Sequence, residues 1–304
     1  MKKKIFCILC LALLLLMGWC GWELWRSCHN PVVSHFSVPL KRIITPVRLA
    51  VLSDLHDMEY GAGNGQITAL VAREAPDLIL VDGDMLNAYS PDSARVCDLV
   101  EDLAEIAPVY YAWGNHELEY MKTRGSDLKT ELEEAGAVIL EKNAVDLTVG
   151  ETELRLGGLY GYAFATDKYG RFDPERMERE TYDFLTAFQE TEACKIMLSH
   201  RPDSFIFGGA SAVWDIDLVV SGHNHGGQVV LPALGGLYGG DQGFFPTYIH
   251  GIYKKDKITL AITSGLGTQR ERLPRFGNPP EVMILELCPE IDQAVTGGSK
   301  PCQS

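Results

Sequence analysis

Past residue 46 the chain alternates between two patterns. Short, continuous apolar runs recur at 47–53, 78–81, 108–113, 195–199, 218–221 and 282–287. Unbroken apolar runs of strand length predict strands buried on both faces. Amphipathic stretches between them predict helices over 65–74, from Ser90-Pro91 to about 106, over 127–135 and over 178–189. Asn64 is the expected cap of the first. Ser90, with Pro91 at the first helical position, is the expected cap of the second. Runs at 145–149 and 153–156 flank Gly150-Glu151, and runs at 249–253 and 257–263 flank Lys255-Asp256, so both pairs predict hairpins. Strands alternating with helices predict one α/β layered domain over about 46–290.

The N-terminus breaks the rhythm. After Lys2, Lys3 and Lys4, residues 5–22 carry no charge, and Glu23 closes the run. That length just spans a bilayer. Trp19, Trp22 and Trp25 cluster at its far end like an interfacial belt, and the lysines would stay in the cytoplasm. The competing reading is a cleaved signal peptide, but the run ends in Gly-Trp-Cys-Gly-Trp rather than in small residues. Residues 1–25 are therefore expected to be an uncleaved anchor in the cell membrane, single-pass, with the domain extracytoplasmic. Residues 26–45 read as a linker, with Pro31 and Pro39 inside it, and 291–304 as a disordered polar tail.

Composition narrows the classes. The net charge is −14, with no basic run beyond the first lysines, so nucleic acid is excluded as a bound partner. Beyond the apolar segment, Cys28, Cys97, Cys194, Cys288 and Cys302 are scattered, with no C-x-x-C pair among them. Neither a zinc ribbon nor a disulfide scaffold fits. Cys97 and Cys194 sit in apolar patterns and are expected in the core. A Cys28–Cys302 bridge stays open.

The chemistry gathers where strands end. The run at 47–53 ends in Asp54-Leu55-His56, 78–81 in Asp82-Gly83-Asp84, and 109–113 in Gly114-Asn115-His116-Glu117. The run at 195–199 ends in His200, and 218–221 in Gly222-His223-Asn224-His225. In open α/β sheets, ligand sites form beyond the carboxyl ends of strands. Glycines at 83, 114 and 222 permit sharp exits and close backbone approach. Imidazoles, carboxylates and an amide suit divalent Mn, Fe or Zn, with Mn favoured. So many donors exceed one tetrahedral zinc and suit two ions sharing a carboxylate. Two such ions leave the site net positive, so it attracts a phosphate despite the acidic chain.

These five motifs in this order resemble the calcineurin-like metallophosphoesterase family, over about residues 47–288. The resemblance implies a four-layer α-β-β-α sandwich of the metallophosphoesterase type with two divalent metal ions at its strand ends. By motif position, Asp54, His56 and His225 would hold one ion, and Asn115, His200 and His223 the other. Asp84 would bridge them, and His116 would be the nearby acid. A finer resemblance is to the membrane-associated bacterial branch of YkuE- and YaeI-like phosphodiesterases. It rests on Leu198-Ser-His-Arg-Pro-Asp203, Gly222-His-Asn-His-Gly-Gly-Gln228, Ser264-Gly-Leu-Gly-Thr268 and Asn278-Pro-Pro-Glu281. Asp57 and Asn224 depart from that branch's common residues without removing a ligand.

The implied activity is hydrolysis of a phosphate ester by a hydroxide shared between the metals. The expected substrate is a phosphodiester of a lipid or cell-envelope component, with the oligomeric state left unknown. A phosphomonoesterase, including a protein phosphatase, is the alternative, and a non-catalytic membrane-tethered binding module the remote one. Asp82 and Glu117 are either supports for the ligands or exposed turn acids. Arg270, Arg272 and Arg275 are expected in a solvated loop, with a phosphate contact as the alternative. His29 and His35 are expected to be solvated, and His250 receives no role. The stretch 235–245 reads equally as a lipid-facing pocket wall or as Gly-rich loop packing.

Overall fold

The continuous apolar runs become central strands because each has a protein layer on both sides. The computed structural model describes residues 2–267 and 274–290. Its first half contains α1 (Lys2–His29), β1 (Val32–Leu40), β2 (Val47–Leu52), α2 (Gly65–Glu74), β3 (Leu78–Asp82), α3 (Ala94–Ala104), β4 (Val109–Ala112), α4 (Asn115–Arg124), α5 (Leu128–Glu134) and β5 (Ala137–Leu140). The next part contains β6 (Ala144–Val149), β7 (Thr152–Gly158), α6 (Arg179–Phe188), β8 (Cys194–Leu198), α7 (Asp203–Ile206), α8 (Ala210–Val213) and β9 (Leu218–Ser221). The last part contains β10 (Val230–Leu231), β11 (Gly235–Gly236), β12 (Gly251–Lys255), β13 (Ile258–Ile262) and β14 (Glu281–Pro289).

The first sheet has the order β1-β14-β2-β3-β4-β5, with β2 to β5 parallel and β14 antiparallel to β2. The second has the order β12-β13-β9-β8-β7-β6, parallel from β13 to β7. Leu49, Val51, Leu80, Leu156, Leu198 and Val220 fill the space between the sheets. Their alternating neighbours Ala50, Leu52, Ile79 and Val81 meet the helices α2 to α5 on the outer face. Met197, Val219 and Leu260 meet α6 to α8 on the other outside. The layers are therefore α-β-β-α. Interior side chains such as Leu52 and Leu198 are fully buried, each worth about 1.5–3 kcal/mol relative to exposure.

Several boundaries differ from the sequence expectation. The segment read as a linker carries β1, which pairs in parallel with β14 from the far end of the chain. It is a half-exposed edge strand that tolerates Pro39, so no two-sided apolar run announces it. The apolar helix continues to His29, beyond the expected end at residue 25. α3 begins at Ala94 instead of after Ser90. Asn64 precedes α2, but its side-chain oxygen accepts from Tyr60 N–H at 2.9 Å instead of capping the helix. α4 and β5 were not expected.

α1 is long and apolar enough to cross a membrane. Its last turns pack on the domain: Glu23 and Ser27 are buried, and the Trp19 ring meets Phe276 edge-on at 5.9 Å. Ser27 Oγ accepts from Asn278 N–H at 3.3 Å. Cys194 is buried and Cys97 half-buried against the outer core, as expected. Cys302 and the tail 291–304 lie outside the described residues.

Candidate metal centre

The backbone turns sharply where the strands stop, and those turns carry the polar residues. Just beyond β2, β3 and β9, the residues Asp54, His56, Asp84, His223 and His225 hold φ between 46° and 66°. Non-glycine residues are uncommon there, at roughly 1–3 kcal/mol each, and persist only where surrounding structure imposes them. Two glycines show how tight the fit is. A Cβ on Gly83 would lie 2.2 Å from Gly114 N, and one on Gly222 would lie 2.1 Å from Ser53 Oγ. Either would push apart the loops that carry the site.

The structure brings together the strand-end residues that the sequence singled out. His56 Nε2 lies 3.9 Å from both Asp54 Oδ1 and Asp84 Oδ2. His200 Nε2 lies 3.1 Å from Asp84 Oδ2 and 3.9 Å from Asp54 Oδ1, and His225 Nε2 lies 3.6 Å from Asp54 Oδ1. Three groups have donor atoms within 4.8 Å of one another: Asp54, His56 and His225; Asp84, His200 and His223; and His56, Asp84 and His116. Asn115 opens α4 next to His116, whose own N–H donates to Asp84 Oδ1 at 2.8 Å. His56 Nε2 and Asn115 Oδ1 are buried with no hydrogen-bond partner among the described residues. Buried polar atoms rarely go unpaired, so these two atoms fit a metal's coordination sphere.

Hydrogen bonds at Nδ1 set the tautomers. Three rings face oxygen acceptors: His56 meets Asn87 Oδ1 at 3.1 Å, His200 the Asp82 carbonyl at 2.6 Å, and His225 the Gly267 carbonyl at 3.2 Å. Each Nδ1–H donates, so in the neutral ring the Nε2 lone pair is left for a cation. His116 is the reverse. Its Nδ1 accepts from Ala88 N–H at 3.0 Å, so the neutral ring carries its proton on Nε2. In the neutral form, His116 thus carries its proton on Nε2 and the other three carry theirs on Nδ1.

Burial dominates the electrostatics. It pushes the Asp54 carboxyl up to about 6, with the nearby Asp84 adding to the effect and His200 opposing it. Burial also acts on Asp84, but the charge and hydrogen bond of His200 outweigh it and hold this carboxyl well below the usual range. Burial lowers His56 to about 4 and His223 to about 3, and holds His225 well below the ordinary imidazole value. Neutral imidazoles are the ligating form. His200 is raised instead, because Asp84 and Asp54 outweigh its burial.

Glu117 and Asp82 are not exposed turn acids; both are fully buried. Glu117 accepts from Asp84 N–H at 2.8 Å, Gly114 N–H at 3.0 Å, Met85 N–H at 2.8 Å and Tyr111 O–H at 2.8 Å. It ties the β3 and β4 exits together. Asn87 is a residue that sequence reasoning missed: besides orienting His56, it donates to the His56 carbonyl at 3.0 Å and to Asp57 Oδ2 at 2.7 Å. Ser90, expected as a helix cap, instead bonds Asp57 and Asn87. No signal in the sequence marks Asn87, since an asparagine in a loop usually makes a turn.

Arg275 is neither solvated nor aimed at a substrate. It is buried and donates to the carbonyls of Ser264 at 2.7 Å, Gly267 at 2.9 Å and Asn278 at 2.9 Å. It braces the loop that orients His225. Arg270 and Arg272 lie outside the described residues. His29 is exposed and His35 half-exposed, while His250, given no role, pairs with the buried Glu281 at 2.7 Å.

The family model for calcineurin-like phosphoesterases matches residues 47–227. An uncharacterized metallophosphoesterase of Campylobacter jejuni is 28% identical over 266 residues, 86% of this chain and 64% of that protein. The phosphodiesterase YaeI of Escherichia coli is 26% identical over 263 residues, 84% of this chain and 87% of that one. The uncharacterized metallophosphoesterase YkuE of Bacillus subtilis is 24% identical over 246 residues, 79% and 78% of the two chains. This chain spans about two thirds of the Campylobacter protein's length and most of the other two. Because the family match runs through every strand exit from β2 to β9, the chain belongs to the calcineurin-like phosphoesterase family, hydrolases of phosphoric esters.

Proposed function

We propose that the chain is a two-metal phosphodiesterase held at a membrane by α1, with its domain outside the cytoplasm, acting on a phosphodiester of a lipid or cell-envelope component. The observation that carries the reading is the pair of donor groups Asp54–His56–His225 and Asp84–His200–His223, packed side by side. Asp54, His56 and His225 would hold one ion. Asn115, His200 and His223 would hold the other, and Asp84 would serve both. Mn²⁺ is the favoured ion for this imidazole, carboxylate and amide set. A pair of divalent ions, when bound, polarises phosphoryl oxygens and makes water acidic enough to attack phosphorus. His116 meets the leaving oxygen with its Nε2 proton, a role worth about 10²–10⁴-fold. The name of the YaeI relative favours a diester over a monoester. The lysines at the start of α1 favour the outward orientation.

The test uses the full chain in detergent. Bis-p-nitrophenyl phosphate and p-nitrophenyl phosphate are offered with Mn²⁺ and after chelation. Mn²⁺-dependent turnover with the diester preferred is expected. Turnover that survives chelation, or a preference for the monoester, rejects the reading.

A further inference from the structure

Beside the metal centre lies a cavity of about 400 Å³, lined by His223, His225 and Gln228 on one side and by Leu237, Tyr238 and Phe244 on the other. Its far wall belongs to the loop between β11 and β12. That loop exposes Phe244 at 71%, Phe245 at 58% and, across the β10–β11 turn, Leu234 at 64%. Exposed aromatic clusters of this kind mark an interaction site. Tyr238 and Phe244 meet edge-on at 5.5 Å, yet both stay exposed to solvent.

The backbone beneath them is firmly held. Gln242 and Tyr248 exchange two hydrogen bonds, at 2.8 and 2.9 Å, and Asn224 Nδ2 donates to the Tyr248 carbonyl at 3.0 Å. Asp241 accepts from both Arg201 and Tyr162. Phe245 N–H donates to the Leu237 carbonyl at 3.0 Å. The apolar side chains are thus presented outward by a pre-formed frame.

The same frame leads to α1. Phe276, which Trp19 touches, forms a bridge with Val229, and Val230 pairs with Gly236 in the β10–β11 ribbon. The part of α1 before Trp19 stands clear of the domain. With α1 crossing the membrane as proposed, the bilayer surface falls near Trp19, on the side of the domain that carries this ribbon and loop.

Building on the proposed phosphodiesterase activity, we infer that the substrate is an amphiphile whose apolar chain lies along Leu237, Tyr238 and Phe244 while its phosphate sits at the metals, with the loop tip dipped into the bilayer surface. The cavity combines a mostly apolar wall with a few convergent polar groups, and its volume suits a ligand site.

The test reads a ratio. The full chain in nanodiscs with Mn²⁺ is given p-nitrophenyl ethyl phosphate and p-nitrophenyl dodecyl phosphate. The wild-type kcat/KM is expected to favour the dodecyl ester at least about tenfold, and Phe244→Ser to cut that preference about tenfold. Phe245→Ser, farther from the cavity wall, is expected to cut it less. A wild-type ratio near one overturns the inference while the phosphodiesterase reading stands. A ratio unchanged by both variants also overturns it, including when they instead abolish a dimer. Turnover of neither ester overturns the reading and the inference together.

Discussion

The two sheets contribute differently to the centre. The first supplies Asp54, His56, Asp84, Asn115 and His116, including both carboxylates and the amide; the second supplies only the imidazoles His200, His223 and His225. Their supports differ too. In the first sheet side chains do the holding: Asn87 orients the His56 ring, and Glu117 clamps the backbone of Asp84. In the second, main-chain carbonyls do the work, and one of them crosses over, because His200 points its Nδ1–H at the Asp82 carbonyl of the first sheet. The lesson is that the centre is a joint between sheets rather than a pocket in either. The carboxylates sit on one sheet, and the other docks imidazoles against them.

That contrast can be tested where it is strongest. Asp84 takes part in two of the three donor groups, so Asp84→Asn is expected to cost metal content at both positions and on the order of 10³-fold in kcat. Elemental analysis beside kinetics checks this, and a variant that keeps both ions breaks the comparison. Asn87→Ala removes a support confined to the first sheet. Metal affinity is expected to fall about 10–100-fold while the fold persists, read by calorimetric titration and circular dichroism.

The smallest effect lies where the two sheets meet outside the donor set: His250, just before β12, pairs with Glu281 of β14. Glu281 is buried, but the hydrogen bond and charge of His250 hold its carboxyl below the ordinary 4.5. Glu281 in turn raises His250 above 6.5 against the effect of its burial. A lowered carboxyl stabilises the fold above its unfolded value and loses that contribution as pH falls through the folded one. A raised imidazole contributes below its unfolded value and loses that as pH rises through the folded one. The pair is therefore worth most between about pH 4.5 and 6.5. Glu281→Gln is expected to cost about 2 kcal/mol there and to flatten the pH dependence of Tm.

The parts of the molecule that were legible beforehand share a physical cause. Strands such as β3 and β8 are buried on both faces, which forces unbroken apolar runs, and the residues that follow must be polar and tightly turned. α4 escaped notice because Asn-His-Glu-Leu-Glu-Tyr-Met-Lys-Thr-Arg is polar nearly all round; its first turn is written by the metal centre instead of by a core face. β1 escaped because an edge strand needs only one partner, and that partner is separated from it by most of the chain.

By itself, the sequence determined an α/β layered domain and strand exits rich in candidate donors, since these follow from local periodicity and residue type, while the layer order came from the family resemblance. Only the tertiary structure decided which atom of each histidine faces the centre, that Arg275 braces a loop from within, and that the end of α1 and the apolar loop share one frame. Those outcomes depend on hydrogen bonds and packing between residues far apart in the chain. No local pattern encodes such partners, because they meet only when the two sheets close on each other.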